Sequence, residues 1–312
     1  KWFLDFLKNN SAFIHSGYFP IPKRIWISWR DVFQQDNYEV EIFDFMKVCK
    51  ENSIKTILLL NWWCEWEKSW LLEYISPILD YVNKLYDFWL TSISLTNMLY
   101  IPLIKNRFPN IEIYASVNTD LYTIEQCIYL KRLWVDVLTV YRDLNRDLET
   151  LKEIKKQTWL KIQLIINEGC MSECPYYRQH SSIQTHCVDN EDNFIWFAWC
   201  KKNFLDNLKT IFKLKIIRPE DMHYYSDIVD VYKLSTRGYS LDRIKFYFDV
   251  YEKWYYNWNY LNFFDFYQEE LMKNTYWYID NSLLTKYDFF NRIKNCWMDC
   301  TKCSLCDVYL QK

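Results

Sequence analysis

Short β-branched runs alternate with amphipathic helical stretches along most of this 312-residue chain. That alternation restricts the fold more than any other feature. A run of four to eight Val-, Ile-, Leu- and Tyr-rich residues reads as a strand, and apolar residues recurring every three to four positions read as a helix. The strand candidates are AFIHSGY (12–18), IKTILLL (54–60), LTSISL (90–95), IEIYASV (111–117), VDVLTVY (135–141), LKIQLII (160–166), KIIRPE (215–220) and VDVYKL (229–234). Helical patterns such as TIEQCIYLKRL (123–133) and NRDLETLKEIKKQT (145–158) lie between them. In the second, Asn145 is placed as N-cap, with carboxylates in the first turn where a helix start favours them.

Strands that alternate with helices build a parallel sheet. Eight such units in roughly 250 residues match an α/β fold of the closed (β/α)8 TIM-barrel type. A doubly wound open sheet is the alternative, although no GxGxxG follows the first strand. The barrel is expected over residues 1–290, with a cysteine-rich insertion after strand 6 and a short cysteine-rich metal-binding tail at 291–312. Functional side chains of a barrel gather just after the strand C-termini. Those places hold Asn61 and Cys64, Asn118, Arg142, Asn167 to Cys170, Arg218 to Asp221 and Lys233 to Arg237.

The cysteines sharpen this. There are eleven, and eight fall in two late groups: 170, 174, 187, 200 and 296, 300, 303, 306. The opening KWFLDFLKNN lacks a signal-peptide plan and no apolar run reaches spanning length, so a cytoplasmic protein without a membrane span is expected. In a reducing compartment such clusters point to metal or iron–sulfur ligation rather than disulfides. Cys170, Cys174, Cys187 and Cys200 are the expected ligands of one [4Fe–4S] cluster, with Zn²⁺ or separate buried thiols as alternatives. Cys64 is a rival for one ligand place. The last three of Cys296, Cys300, Cys303 and Cys306 have ferredoxin-like spacing, so the tail is expected to hold a second cluster or zinc.

Around these lie the catalytic candidates. Arg142, Arg218 and Arg237 have the donor geometry to hold a carboxylate or phosphate, while Glu220 and Asp221 offer them an internal partner instead. His180 and His186 are acid–base candidates or neighbours of the cysteines. Asn167, Glu168 and Lys233 complete the set. A net charge of −2 is not the footprint of a DNA binder, and no P-loop, HExxH or GxSxG motif is present.

Glycine is nearly missing. The chain has three glycines and 16 tryptophans, against about 20 glycines at average usage. The tryptophans stand where glycine is physically wanted: Trp134 and Trp159 in helix-to-strand joints, Trp254 and Trp258 in the turn-like YEKWYYNWNY, and four in NWWCEWEKSW (61–70). Few alanines beside many Lys, Asn, Ile, Tyr and Phe fit an AT-rich gene. The reading drawn from this is that UGA codons meant as glycine are rendered as tryptophan. A genuinely Trp-rich protein is the alternative.

One segment carries a family resemblance. LETLKEIKKQTWLKIQLIINEGCMSECPYYRQH (148–180), followed by IRPED (217–221) and DVYKLSTR (230–237), resembles the peptidase U-32 family, and the likeness improves when Trp is read as Gly. The resemblance spans roughly residues 12–265. It implies a barrel with a [4Fe–4S] cluster on four cysteines, of which Cys170 and Cys174 match best by position. It also implies oxygen-independent hydroxylation of RNA bases or of a small aromatic ring such as ubiquinone in a bacterial setting, with RNA or that ring as substrate and an electron donor or partner subunit alongside. A collagenase-like peptidase, the family's older label, and a non-catalytic Fe–S scaffold are the alternatives.

Overall fold

The computed structural model describes residues 2–22, 25, 37–61, 72–186, 206–236, 239–264, 278–294, 296 and 303–310. The chain divides into two compact units: residues 1–141, 154–162 and 176–191, then residues 142–153, 163–175 and 192–312.

The first unit is built on strands β1 (Ser16–Pro20), β2 (Lys55–Leu60), β3 (Ser92–Leu95), β4 (Glu112–Ala115) and β5 (Val137–Thr139), each parallel to the next. Helices α1 (Trp2–Asn9), α2 (Tyr38–Glu51), α3 (Leu72–Phe88), α4 (Tyr100–Arg107) and α5 (Ile124–Arg132) alternate with them. All four residues of β3 are buried, as are Thr56 to Leu60 of β2. Parallel strands covered on both faces need such unbroken apolar runs, which is why these segments read as continuous rather than alternating. Ile57, Tyr114 and Val137 pack in one core cluster with Tyr18 against it. At Gly17 a Cβ would come within 2.6 Å of the Phe45 ring, so glycine lets β1 approach α2 closely. Helix α5 starts at a capping box: Thr123 accepts from the Gln126 N–H, and the Gln126 side chain accepts from the Thr123 N–H.

The strand starts of this unit carry a charge network. Glu112, first in β4, accepts from Lys55 at 2.8 Å and from Lys161 at 2.7 Å. The Ser92 hydroxyl lies 3.3 Å away. Burial alone would raise the Glu112 carboxyl, but the two lysines outweigh it and hold the group down at about 2.

Two further strands complete a seven-stranded sheet in chain order. They are β6 (Lys161–Ile165) and β7 (Val231–Lys233), and they pair in parallel, Gln163 with Val231 through Ile165 with Lys233. The fold is therefore α/β with parallel strands. Among the described residues, seven of the eight expected strands form.

The exception is KIIRPE. Residues 215–218 run extended but outside the sheet, and a 3-10 segment begins at Pro219 (Pro219–Tyr225). The reason is where its backbone bonds go. Arg146 donates to the carbonyls of Phe212 and Leu214, Asn145 to Lys215, and the Tyr251 hydroxyl to Ile217. Within the segment, side chains have thus taken the Lys215 and Ile217 carbonyls, and one backbone bond, from the Ile217 N–H to the Ile166 carbonyl at 2.9 Å, ties it to the end of β6. Asn145 is thereby not the N-cap expected for helix α6 (Leu148–Thr158). Asp147 holds that place, accepting from the Thr150 N–H at 3.0 Å, while Asn145 is buried and also donates to the Ile165 carbonyl at 2.7 Å.

Helix α7 (Tyr177–His186) belongs to the first unit and α8 (Leu241–Glu252), α9 (Asn281–Lys286) and α10 (Phe289–Ile293) to the second. The second unit's core is aromatic. Phe212 stacks on Tyr260 and meets Phe289 and Tyr309 edge-on, so the last described turn, Leu305–Leu310, is docked on this core through a buried Tyr309. Among the described residues no helix is long and apolar enough to cross a membrane.

Candidate active site

Strand β6 delivers the candidate site. After Ile166 the chain turns outward through Asn167, Glu168, Gly169 and Cys170. Asn167 is buried, and both ends of its amide are used: Nδ2 donates to the Ser235 carbonyl at 2.9 Å, and Oδ1 accepts from the Ser235 N–H at 2.7 Å. It clips the ends of β6 and β7 together.

Glu168 turns the other way. Its Oε1 lies 3.3 Å from the Arg142 guanidinium and accepts the Cys170 N–H at 3.2 Å. Both charged side chains are largely buried, so the pair fixes the start of the loop. Among the described residues nothing lies within 4 Å of a Cβ built on Gly169. Asp143 secures the next turn, accepting from the Ser172 hydroxyl at 2.6 Å and from the Glu173 N–H at 3.2 Å. Glu173 itself sits at φ 52°, and Met171 bridges to Leu214. The residues after β6 are thus held by two side chains, Arg142 and Asp143, that follow β5 in the sequence.

This loop carries two thiols. Cys174 is half-buried. Cys170 is half-buried as a residue, but its sulfur is enclosed: burial pushes the thiol up to about 12, with Glu168 adding to the effect and Arg142 opposing it. Without a metal such a thiol stays protonated and unreactive. Bound to iron or zinc it would be a soft anionic donor. Among the described residues no group of three or more His, Cys, Asp or Glu side chains converges as a metal site. Cys64, Cys187, Cys200, Cys300 and Arg237 lie outside the described residues. Of the tail thiols that are described, Cys296 and Cys306 are half-buried and Cys303 is exposed. Cys49 and Cys127 are core residues whose thiols burial also pushes up to about 12.

The other candidates separate. Arg218 is not open to a ligand. It is fully buried, bonds Asp221 through two parallel contacts of 2.8 and 2.7 Å, donates to Asn281, and lies over the Phe289 ring. Glu220 accepts from the Asn281 amide at 3.0 Å and from the Tyr256 N–H, and burial raises its carboxyl. The RPED motif is an internal clamp. Lys233 ends β7, where its carbonyl accepts from Ile166 at 3.1 Å. His180 is half-buried on α7, and His186 is that helix's last residue.

The first unit has its own polar group at strand ends. Asn118 donates from Nδ2 to the Asn61 carbonyl at 2.9 Å, and Asn61 donates to the Ser116 hydroxyl at 3.4 Å. The Tyr177 hydroxyl donates to Asn118 at 3.4 Å. Tyr177 in turn packs on Tyr141, which stacks with the part-exposed Tyr122. Thr96, just past β3, keeps a buried hydroxyl oxygen that has no hydrogen-bond partner among the described residues. Sequence reasoning missed Ser116, Asp143, Ser172 and Tyr177. Only their nearness to strand ends could have pointed to them.

The fold and site define a parallel α/β protein with a thiol-bearing loop at a strand C-terminus, where such folds place chemistry. Residues 31–176 match the model of peptidase family U32, a stretch that ends just past Cys174. The chain is 23% identical over 291 residues to the "Uncharacterized protease MJ1657" of Methanocaldococcus jannaschii, covering 91% of this chain and 82% of that protein. It is also similar to the solved U32 peptidase Mk0906, at a TM-score of 0.47 and 14% identity over 60% of this chain and 78% of that one. The matched stretch and the relative from Methanocaldococcus jannaschii both support a likeness to peptidase family U32.

Proposed function

We propose that this chain is a U32-family iron–sulfur enzyme of oxygen-independent hydroxylation, acting on an RNA base or a small aromatic ring. The observation that carries the reading is the loop after β6. It holds Cys170 and Cys174 on one short turn and spends Arg142, Glu168 and Asp143 on fixing that turn. Thiol donors suit a [4Fe–4S] cluster, and Cys187 and Cys200, or Cys64 in place of one, would supply the remaining ligands. When bound, the cluster would supply electron transfer or a Lewis-acidic iron. The chain's own part is to preorganise the loop, with the Glu168 carboxylate holding the Cys170 backbone and Arg142 balancing its charge.

The second reading is a peptidase, favoured by the names of the family and of the relatives. Against it, an enclosed neutral Cys170 is a poor nucleophile. The test is iron and acid-labile sulfide in anaerobically purified protein, compared with Cys170→Ala/Cys174→Ala. About four of each per chain, lost in the variant, is the expected result. Zinc or no metal, together with peptide hydrolysis that survives the double substitution, would overturn it in favour of the peptidase.

A further inference from the structure

We infer that the working polypeptide carries glycine where this sequence carries tryptophan, beginning with positions 134, 159 and 254. Six of the 16 tryptophans are described: Trp2, Trp89, Trp134, Trp159, Trp254 and Trp258. Every one is at least 37% exposed, and Trp159 reaches 81%. Tryptophan is normally among the more buried residues on average, so six exposed indoles out of six already argue against selection for the side chain.

The backbone is more decisive. Trp134, Trp159 and Trp254 have φ of 62°, 59° and 56°. A bulky residue there is a steric outlier, because its Cβ crowds the following carbonyl. Each of the three ends a helix with the hydrogen bonds of a glycine cap. After α5 the Trp134 N–H donates to Lys131 and the Val135 N–H to Leu130, both at 3.2 Å. After α8 the Trp254 N–H donates to Tyr251 at 3.3 Å and the Tyr255 N–H to Val250 at 3.4 Å. These are Schellman motifs, with tryptophan at the C′ position. After α6 the Trp159 N–H makes the single bond of the simpler left-handed cap, to Lys155 at 2.8 Å.

The remaining non-glycine residues with positive φ are Ser53, Asp120, Glu173 and Asp288, all polar. Among the described residues tryptophan supplies three of the seven such positions, and those three are half of the six tryptophans described. No local hydrogen bond lets an indole tolerate this conformation as an Asp or Asn can. Nor do the three indoles make a ring contact among the described residues. What they share with glycine is position, and a UGA codon, one base from tryptophan's UGG, read as glycine in the source organism would account for the exposure, the positive φ and the cap hydrogen bonds together. On that reading residues 61–70 are NGGCEGEKSG in sequence.

The test uses the full chain in three forms: as given, with Trp134, Trp159 and Trp254 changed to Gly, and with the same three changed to Ala. Both triple variants remove the exposed indoles, but only glycine relieves the left-handed strain. The expected result is a melting temperature raised by roughly 5 °C or more in the glycine form and clearly less in the alanine form. Equal effects of Gly and Ala, or a loss in both, would overturn the inference. Peptide mass spectrometry of the protein from its source organism decides independently of folding. Glycine masses at 134, 159 and 254 support the inference, and tryptophan masses end it.

Discussion

Two arginines stand in matching places in this sequence and do opposite work. Arg142 follows VDVLTVY and Arg218 follows KII, each directly after a strand-like run. Both are buried and both pair with a carboxylate. Arg218 meets Asp221 three residues on, in two parallel contacts, and adds Asn281 and the Phe289 ring. Arg142 meets Glu168 across a single longer contact of 3.3 Å, on the loop that carries the thiols. The first region is saturated and holds the aromatic core of its unit in register. The second holds the start of the segment that carries Cys170 and Cys174. A buried ion pair is therefore not evidence of function or of structure by itself. What surrounds it decides.

The sharpest way to break this contrast is Arg218→Ala. It strands Asp221 without its partner in the core, and the expected loss is about 3–5 kcal/mol of unfolding free energy, read from denaturant midpoints. A loss under about 1 kcal/mol would mean that Arg218 is solvated in solution and available to a ligand after all.

Next in size is Glu112→Gln, a reference point at the strand starts, where barrels keep stability rather than chemistry. Two charged hydrogen bonds weaken, at a cost of about 2–3 kcal/mol at neutral pH. The folded carboxyl sits at about 2, below its ordinary value of 4.5. Its contribution is thus complete above that ordinary value and fades as pH falls from 4.5 towards 2. The parent should lose stability over that window in a urea series, and the Gln variant should lose visibly less of it.

Asn167→Ala should cost about 2 kcal/mol by cutting both bonds to Ser235. It should also loosen the loop after β6, so that any metal bound there leaves faster under a chelator. Unchanged release would assign Asn167 to strand pairing alone.

The smallest stability effect is expected at Glu168→Gln, about 1 kcal/mol, because the amide oxygen can still accept from Cys170 and Arg142. Turnover or cluster content should nonetheless fall several-fold. The combination of near-normal melting with lost activity distinguishes this region from the Arg218 clamp. If stability and activity fall in proportion, the two arginines play the same structural part.

How far the sequence already showed these things depends on the range of the interactions involved. The seven strands that form lie inside the segments marked by their apolar runs, give or take a residue or two, because strand formation in a buried parallel sheet follows local hydrophobicity. Helix α5 begins where Thr123 and Gln126 announce it, since a capping box closes within four residues. The left-handed helix ends at 134, 159 and 254 were legible too, as places wanting glycine. The placement of Cys170 after β6 follows from the same local reading.

What failed was non-local. KIIRPE has a strand's composition, yet Asn145 and Tyr251 arrive from 70 and 34 positions away and take the carbonyls of Lys215 and Ile217. Asn145 looked like a helix cap from its position, but its side chain donates to the Ile165 and Lys215 carbonyls, 20 and 70 positions away. Arg142 and Arg218 were indistinguishable in one dimension. Local propensity and periodicity determined where the elements of this protein lie. Only the tertiary structure decided which polar side chains are consumed by the core and which stand beside the thiol loop, because desolvation requires each buried donor and acceptor to find a partner wherever the fold supplies one.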